Sequence, residues 1–315
     1  MTEAVDQGSI AERTRRRWQW LRIVALLVGL GFMLWLAWKL LATPGATFDR
    51  VHWGGVAAAV CVGVFANAII GLAFADLVGK LVPHVPYAQR MAAYYTSQVA
   101  KYVPGRVASL LVQRSILRGP GATTATVVSN LELAAVNAGL GCTMAGALIL
   151  GFRSVPAALA VAASGIAMGT WLLRANWIPL LARFRMTRGL GDVRAPRIGA
   201  PRAASLAALM LVLPGASSFV LLSSGIGMAF ADSVMLTALL MLSWVGGMLA
   251  FVFPVGLGIR ELIFLALGGI LPDPPSMELL GGVAIASRVV QMLIDVAGVG
   301  AFFAHRRWTA TRAAE

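Results

Sequence analysis

The chain is poor in the side chains that drive soluble enzyme chemistry. Its 315 residues include three histidines (His52, His84 and His305) and two cysteines (Cys61 and Cys142). No HExxH, CxxC, Walker or GxSxG pattern occurs, so the sequence offers no zinc-hydrolase, thiol-redox, nucleotide-binding or serine-hydrolase signature. No cofactor motif is present either. Both cysteines fall within apolar runs and lack ligand spacing, so they are expected to be buried as small hydrophobes. Charge is also scarce, at 12% of residues against 59% hydrophobic, with a mean hydropathy of +0.80. A soluble domain is nearer half apolar and a quarter charged. The composition is that of an integral membrane protein.

The charge that is present has one dominant sign. Twenty-six Lys and Arg outnumber 13 Asp and Glu, for a net charge of +13. Nucleic acid is excluded as the partner, because the basic residues lie in short loops between long apolar runs, the pattern of a multi-pass chain with its positive loops inside.

Residues 1–20 form a basic amino-terminal segment ending in Arg15-Arg16-Arg17. The apolar run 21–42 that follows is about 22 residues, long enough to span a hydrocarbon core of roughly 30 Å and longer than the core of a signal peptide. Further spans are expected at 53–78, 121–150, 155–173, 203–224, 233–252, 257–271 and 279–304, giving eight in a single transmembrane domain over 21–304. A cytoplasmic tail, 305–315, would follow. With both termini cytoplasmic, the inner side takes about 22 of the 26 Lys and Arg, which satisfies the positive-inside rule. The loop 174–202, with seven arginines, falls inside. No hydrophilic stretch exceeds its 29 residues, too few for an independent soluble core.

Two segments break the apolar pattern. The first is Lys101-Tyr102-Val103-Pro104-Gly105-Arg106, continuing to Arg118; the second is Phe253-Pro254-Val255-Gly256-Leu257-Gly258-Ile259-Arg260-Glu261. Irregular backbone at membrane depth persists only where it is buried in protein or lines a wet cavity. Paired Gly/Pro interruptions are a sequence pointer to a transporter's binding site. Residues 80–118 are too polar for a span and read as an interfacial helix followed by a re-entrant one, or as an amphipathic connector on the membrane surface. Gly105, Gly256 and Gly258 either permit tight turns and close packing or leave backbone N–H groups free for an anion.

Several charges lie inside spans. Glu132 is about ten residues, hence about 15 Å, into its span and is expected near the bilayer midplane. Asn130 and Glu132 point to different sides of that helix, so protein must surround it. Ser287, Arg288, Gln291 and Asp295 follow 3- and 4-residue steps and share a face. An ionised group at the bilayer centre costs about 2.5–3.5 kcal/mol on insertion scales, so such groups pair or serve a function. One reading ties Arg288 to Glu132 or Asp295 as interhelical glue. The other has Arg106, Arg260 and Arg288 meeting a phosphate, which suits the planar guanidinium fork. Glu132, Glu261 and Asp295 would then balance the arginines or meet a cationic headgroup.

At the two breaks the chain resembles the transmembrane, flippase-like region of the lysylphosphatidylglycerol synthase family, in its stand-alone form. The carrying stretches are 101–106 and 254–261, the latter fitting Pro-x-Gly-x-Gly-x-x-Glu with Glu261 as the acid. The chain departs from the family after Arg106, where Val107-Ala108-Ser109 replaces the usual Gly-Glu. The resemblance implies translocation of a phospholipid or polyprenyl-linked lipid between leaflets of the cell membrane. It does not imply lysine transfer, which belongs to a soluble domain missing from this chain. The implied contacts are Lys101, Pro104, Gly105, Arg106, Gly256, Gly258, Arg260 and Glu261, joined by the buried Glu132, Arg288, Gln291 and Asp295. Two other readings of the residues stay open. One is a membrane-embedded enzyme using Glu132 with Glu261; the other is a non-transporting partner of a separate lipid-modifying enzyme.

Overall fold

The computed structural model describes residues 51–101, 107–175, 197–249, 259–271 and 273–312. All its regular elements are helical: α1 Trp53–Leu81, α2 Tyr87–Ala100, α3 Val107–Leu117, α4 Ala122–Gly151, α5 Val155–Arg174, α6 Ala200–Val220, α7 Phe230–Leu249, α8 Ile259–Gly269 and α9 Met277–Arg312. A wider π turn, Leu221–Gly225, extends α6. Among the described residues six helices are long and apolar enough to cross a membrane: α1, α4, α5, α6 with its π turn, α7 and α9. Of the eight expected spans, 21–42 lies outside the described residues, and the seventh is present as the 11-residue α8. A helix suits this sequence because it satisfies every backbone N–H and C=O within the segment, which a bilayer requires.

Local chemistry sets several boundaries. The Ser154 hydroxyl accepts from the Ala157 N–H at 3.4 Å to cap α5, and Pro156 sits in the first turn, where a missing N–H costs nothing. Pro86 opens α2 in an extended conformation. Between α3 and α4 the chain reverses through Arg118 (φ 38°), Gly119 (φ 94°) and Gly121 (φ 78°). Those left-handed angles are easy for glycine and strained for other residues.

α4 packs against α1, α3, α5, α6 and α7, but it keeps an exposed face at Leu131, Cys142 and Ile149, so protein does not surround it as its polarity on two sides suggested. One core gathers Phe74 and Leu77 of α1, Tyr94 of α2, Leu140 of α4, Leu173 of α5 and Met210 of α6. A second joins Leu222 of the π turn with Leu240, Phe264 and Leu280 of α7, α8 and α9. α1 and α6 are antiparallel: Asp76 meets Arg202, and the Ser217 hydroxyl donates to the Ala59 carbonyl. α1 and α9 are parallel, with Ile294 against Gly63 and the Asn67 amide beside Gly298.

α2 and α3 form a hairpin inside this frame. α2 runs back along α1, placing Arg90 on Gly79 and the Tyr94 ring on Gly71. Tyr94 Oη donates to Asn67 Oδ1 at 2.6 Å. α3 then returns along α2, as Gln113 Nε2 donates to Ser97 Oγ at 2.9 Å and the Gln89 amide donates to the Ile116 carbonyl. The hairpin therefore enters and leaves the bundle at one end. The first helix of this stretch, expected at the interface, instead lies along α1, and the two helices go in and come out together.

Basic residues segregate with this topology. Lys80, Arg90, Arg118, Arg174 and Arg202 lie at the end of the bundle where α1 stops, α5 stops and α6 begins, while Arg153 lies at the opposite end. The two cysteines do not follow the sequence expectation, since both are exposed on the bundle's outer surface. In an apolar solvent a thiol gains little from facing inward.

Two adjacent glycines give a packing test. At the far end of α1, His52 N–H donates to the Gly225 carbonyl at 2.9 Å, and a Cβ on Gly55 would collide with the Ser224 backbone carbonyl. Backbone cannot swing aside as a side chain can, so Gly55→Ala is expected to destabilise by about 1–3 kcal/mol, as overpacking does. Gly54 faces open space, and Gly54→Ala should stay within about 0.5 kcal/mol. Thermal unfolding in detergent of the two variants side by side checks the contrast.

Candidate functional site

α9 collects the described ends of both interrupted segments, Lys101 from the first and Arg260 and Glu261 from the second. Ser287, Arg288, Gln291 and Asp295 lie along one face of it, as the 3- and 4-residue spacing requires. From the second break, α8 opens with Arg260 and Glu261. Arg288 Nε bonds Glu261 Oε1 at 2.5 Å, and Arg260 Nη2 donates to Ser287 Oγ at 3.3 Å. From the first break, α2 ends at Lys101, whose Nζ lies 2.7 Å from Asp295 Oδ2. Lys101 also donates to Gln98 Oε1 at 3.0 Å, and Gln291 Nε2 donates to Asp295 Oδ1 at 3.5 Å.

The two ion pairs are seven residues apart on α9, about 10 Å along its axis. They are also deep. Asp295 is level with Gly63 and Asn67 of α1, which stand 14 to 18 residues before Leu81. That separation is about 20–27 Å. Each pair is neutral overall, and the fifth charge, Arg260, lies beside Glu261 and on Ser287, so no charge here stands isolated, which would be expensive at this depth. The Arg288 guanidinium, bonded through Nε to Glu261, is a planar fork of the kind that binds phosphate bidentately.

Six of the sequence-derived site residues converge here: Lys101, Arg260, Glu261, Arg288, Gln291 and Asp295. Pro104, Gly105, Arg106, Gly256 and Gly258 lie outside the described residues. Glu132 does not join them. The partner of Arg288 is Glu261, and neither Glu132 nor Asp295 is paired with Arg288 as the tie-only reading supposed. Glu132 Oε2 instead lies 3.8 Å from Lys80 Nζ, with both side chains buried. Lys80 Nζ also points to the Ala175 carbonyl at 3.5 Å, at the carboxyl cap of α5. Lys80 is in the last turn of α1, so Glu132 sits near the basic end of the bundle rather than at mid-depth. At 3.8 Å the contact is an ion pair and not a hydrogen bond, and Glu132 Oε2 has no hydrogen-bond partner among the described residues.

Other polar side chains do what sequence reasoning did not assign them. Gln113 bridges α2 and α4, receiving Asn130 Nδ2 on Oε1 at 2.6 Å while donating to Ser97. This chain of amides and a hydroxyl ties the hairpin to α4. At the basic end, Arg202 binds Asp76 through Nε (2.6 Å) and Nη2 (3.0 Å) and donates from Nη2 to Tyr87 Oη at 3.2 Å. Burial, reinforced by the Asp76 carboxylate, pushes the Tyr87 phenol up, so it stays a hydrogen-bond donor. The 126-residue separation of Asp76 and Arg202 left no local signal for this pair.

Compared with known proteins, the chain matches no family model, no curated protein and no solved structure.

Proposed function

We propose that this protein translocates a lipid with a phosphate-bearing headgroup between leaflets of the cell membrane, as its resemblance to the flippase-like region of lysylphosphatidylglycerol synthases implies. The observation that carries the reading is the convergence of Lys101 and Glu261, the described ends of the two interrupted segments, each through an ion pair on α9. The headgroup phosphate exchanges with Glu261 for the Arg288 fork. The released carboxylate, and Asp295 one heptad away, then meet any cationic part of the headgroup. At each stage a charge trades one partner for another instead of entering the bundle bare, which keeps the desolvation cost low. Neither the hairpin nor α8 is among the six long spans, so a charge on them can change partner without unmaking a span.

The test is reconstitution of the purified protein in liposomes with a headgroup-labelled phospholipid, followed by bleaching of the outer leaflet. Loss of the protected signal well above protein-free vesicles, with the lipid chemically unchanged, is the expected result. A new lipid product would move the reading to a membrane-embedded enzyme; no exchange and no product would leave a partner role for a separate lipid-modifying enzyme.

The same reading fixes an orientation with both termini and residues 174–202 in the cytoplasm. In a background with Cys61 and Cys142 replaced by alanine, Arg183→Cys and Arg307→Cys are expected to resist an impermeant thiol reagent in intact cells, while Asp273→Cys reacts. Labelling at 307 without labelling at 273 would reverse the topology.

A further inference from the structure

Away from the α9 face, α1 and α6 enclose an open-sided hollow of about 610 Å³ on the outer surface of the bundle. Its walls are apolar: Ile69 and Leu72 from α1, Leu206 and Leu209 from α6. Its mouth is polar, formed by Tyr87, Arg202 and Ser205. From Arg202 to Leu209, and from Asp76 to Ile69, the hollow runs seven residues down each helix, about 10 Å. A bilayer already covers exposed apolar side chains, so an apolar surface alone selects nothing. Here the concavity begins at a cation and a phenol at the basic end of the bundle and turns wholly apolar below them, which is the layout of a phospholipid.

The charge balance at the mouth also favours an anion. Asp76 occupies Nε and one edge of the Arg202 guanidinium, but the Arg202 side chain is half exposed. Arg90 stands beside the mouth, fixed by bonds to the Val85, Ala75 and Pro83 carbonyls. Two arginines against one aspartate leave a net positive rim. Tyr87 accepts from Arg202 and keeps its own proton to donate. Basic pockets between helices at the cytoplasmic side bind anionic headgroups.

We infer that the α1–α6 hollow is a binding site for an anionic glycerophospholipid, with one acyl chain between Leu72 and Leu209 and the phosphate at Arg202 and Tyr87. This site lies apart from the α9 ion pairs and stands whether or not those pairs move lipid.

The test places a benzophenone amino acid at Leu209, with a control at the exposed Leu159 of α5, in nanodiscs of equal parts phosphatidylglycerol and phosphatidylcholine. After irradiation, adducts are identified by mass. The expected result is phosphatidylglycerol enriched about fivefold at 209, the factor one interfacial arginine contributes, with no enrichment at 159 and loss of it in Arg202→Gln. Equal lipid ratios at the two positions would mean ordinary bilayer contact and overturn the site. A crosslink from 209 to residues 21–42, or to a second copy, would overturn it too, by showing that protein fills the hollow. If Arg202→Gln does not hold its fold, Ser205→Trp blocks the mouth with the Asp76–Arg202 pair intact. It should abolish the enrichment, and an unchanged adduct would again refute the site.

Discussion

Arg288→Gln is expected to insert and fold yet lose lipid translocation, and adding Glu261→Gln should not bring it back. The reasoning rests on which charge each variant strands. Without Arg288, Glu261 still has Arg260 next to it in sequence. Without Glu261, Arg260 and Arg288 face each other across α8 and α9 with their shared carboxylate gone. Glu261→Gln should therefore be the more damaging single change to stability, on the order of the 2.5–3.5 kcal/mol charged for an unpaired ion at the membrane centre. Arg288→Gln should cost less. The double variant removes both charges and should recover most of the stability, short of the roughly 1 kcal/mol typical of interhelical polar contacts. Stability in detergent and exchange in liposomes are read on the same four proteins at matched amounts. Recovery of transport together with stability in the double variant would reduce the pair to a helix tie.

Lys101 and Asp295 should behave asymmetrically. Asp295 is 1% exposed, whereas the Lys101 side chain is 33% exposed. Lys101→Met takes the ammonium from a carboxylate that water cannot reach, so a loss of about 3 kcal/mol or more is expected. Asp295→Asn leaves a lysine whose flexible stem can carry its charge to a wetter position, and the loss should be about 1 kcal/mol. Lys101→Met combined with Asp295→Asn should be closer to the wild type than Lys101→Met alone. Unfolding midpoints of the three variants decide it; equal losses for the two single variants would show that the tip of the hairpin is as wet on one side of the pair as on the other.

The sequence made some of this legible because membrane physics writes long-range order into local composition. A run of 20 apolar residues can only cross or be buried, so the six long helices begin within three residues of expectation, although α9 runs on eight residues past 304 to Arg312. The face of α9 was readable because Ser287, Arg288, Gln291 and Asp295 follow helical period. Partner choice was not readable. Nothing local distinguishes Glu261 from Glu132 as the mate of Arg288, because both are single acids in apolar helices. The outcome is set by α8 packing on α9 while α4 turns Glu132 toward α1. The hairpin was half legible: α2 and α3 were too polar to span, but it takes contacts such as Gly71–Tyr94, Gly79–Arg90 and Asn67–Tyr94 to show that α2 lies along α1. The cysteines were misjudged because an apolar residue in a bilayer is equally at home inside the protein and against lipid.

The Lys101–Asp295 pair also bears on how the molecule is made. Its two ends are 194 positions apart in the chain, so at about 5–20 residues per second the ribosome needs roughly 10–40 s after Lys101 to deliver Asp295. Tyr94 and Gln113 can dock the hairpin on α1 and α4 long before that. Lys101 keeps its bond to Gln98 meanwhile and gains Asp295 only once α9 has been made. The hairpin is thus seated in two stages, its amide and hydroxyl contacts first and its buried ion pair later.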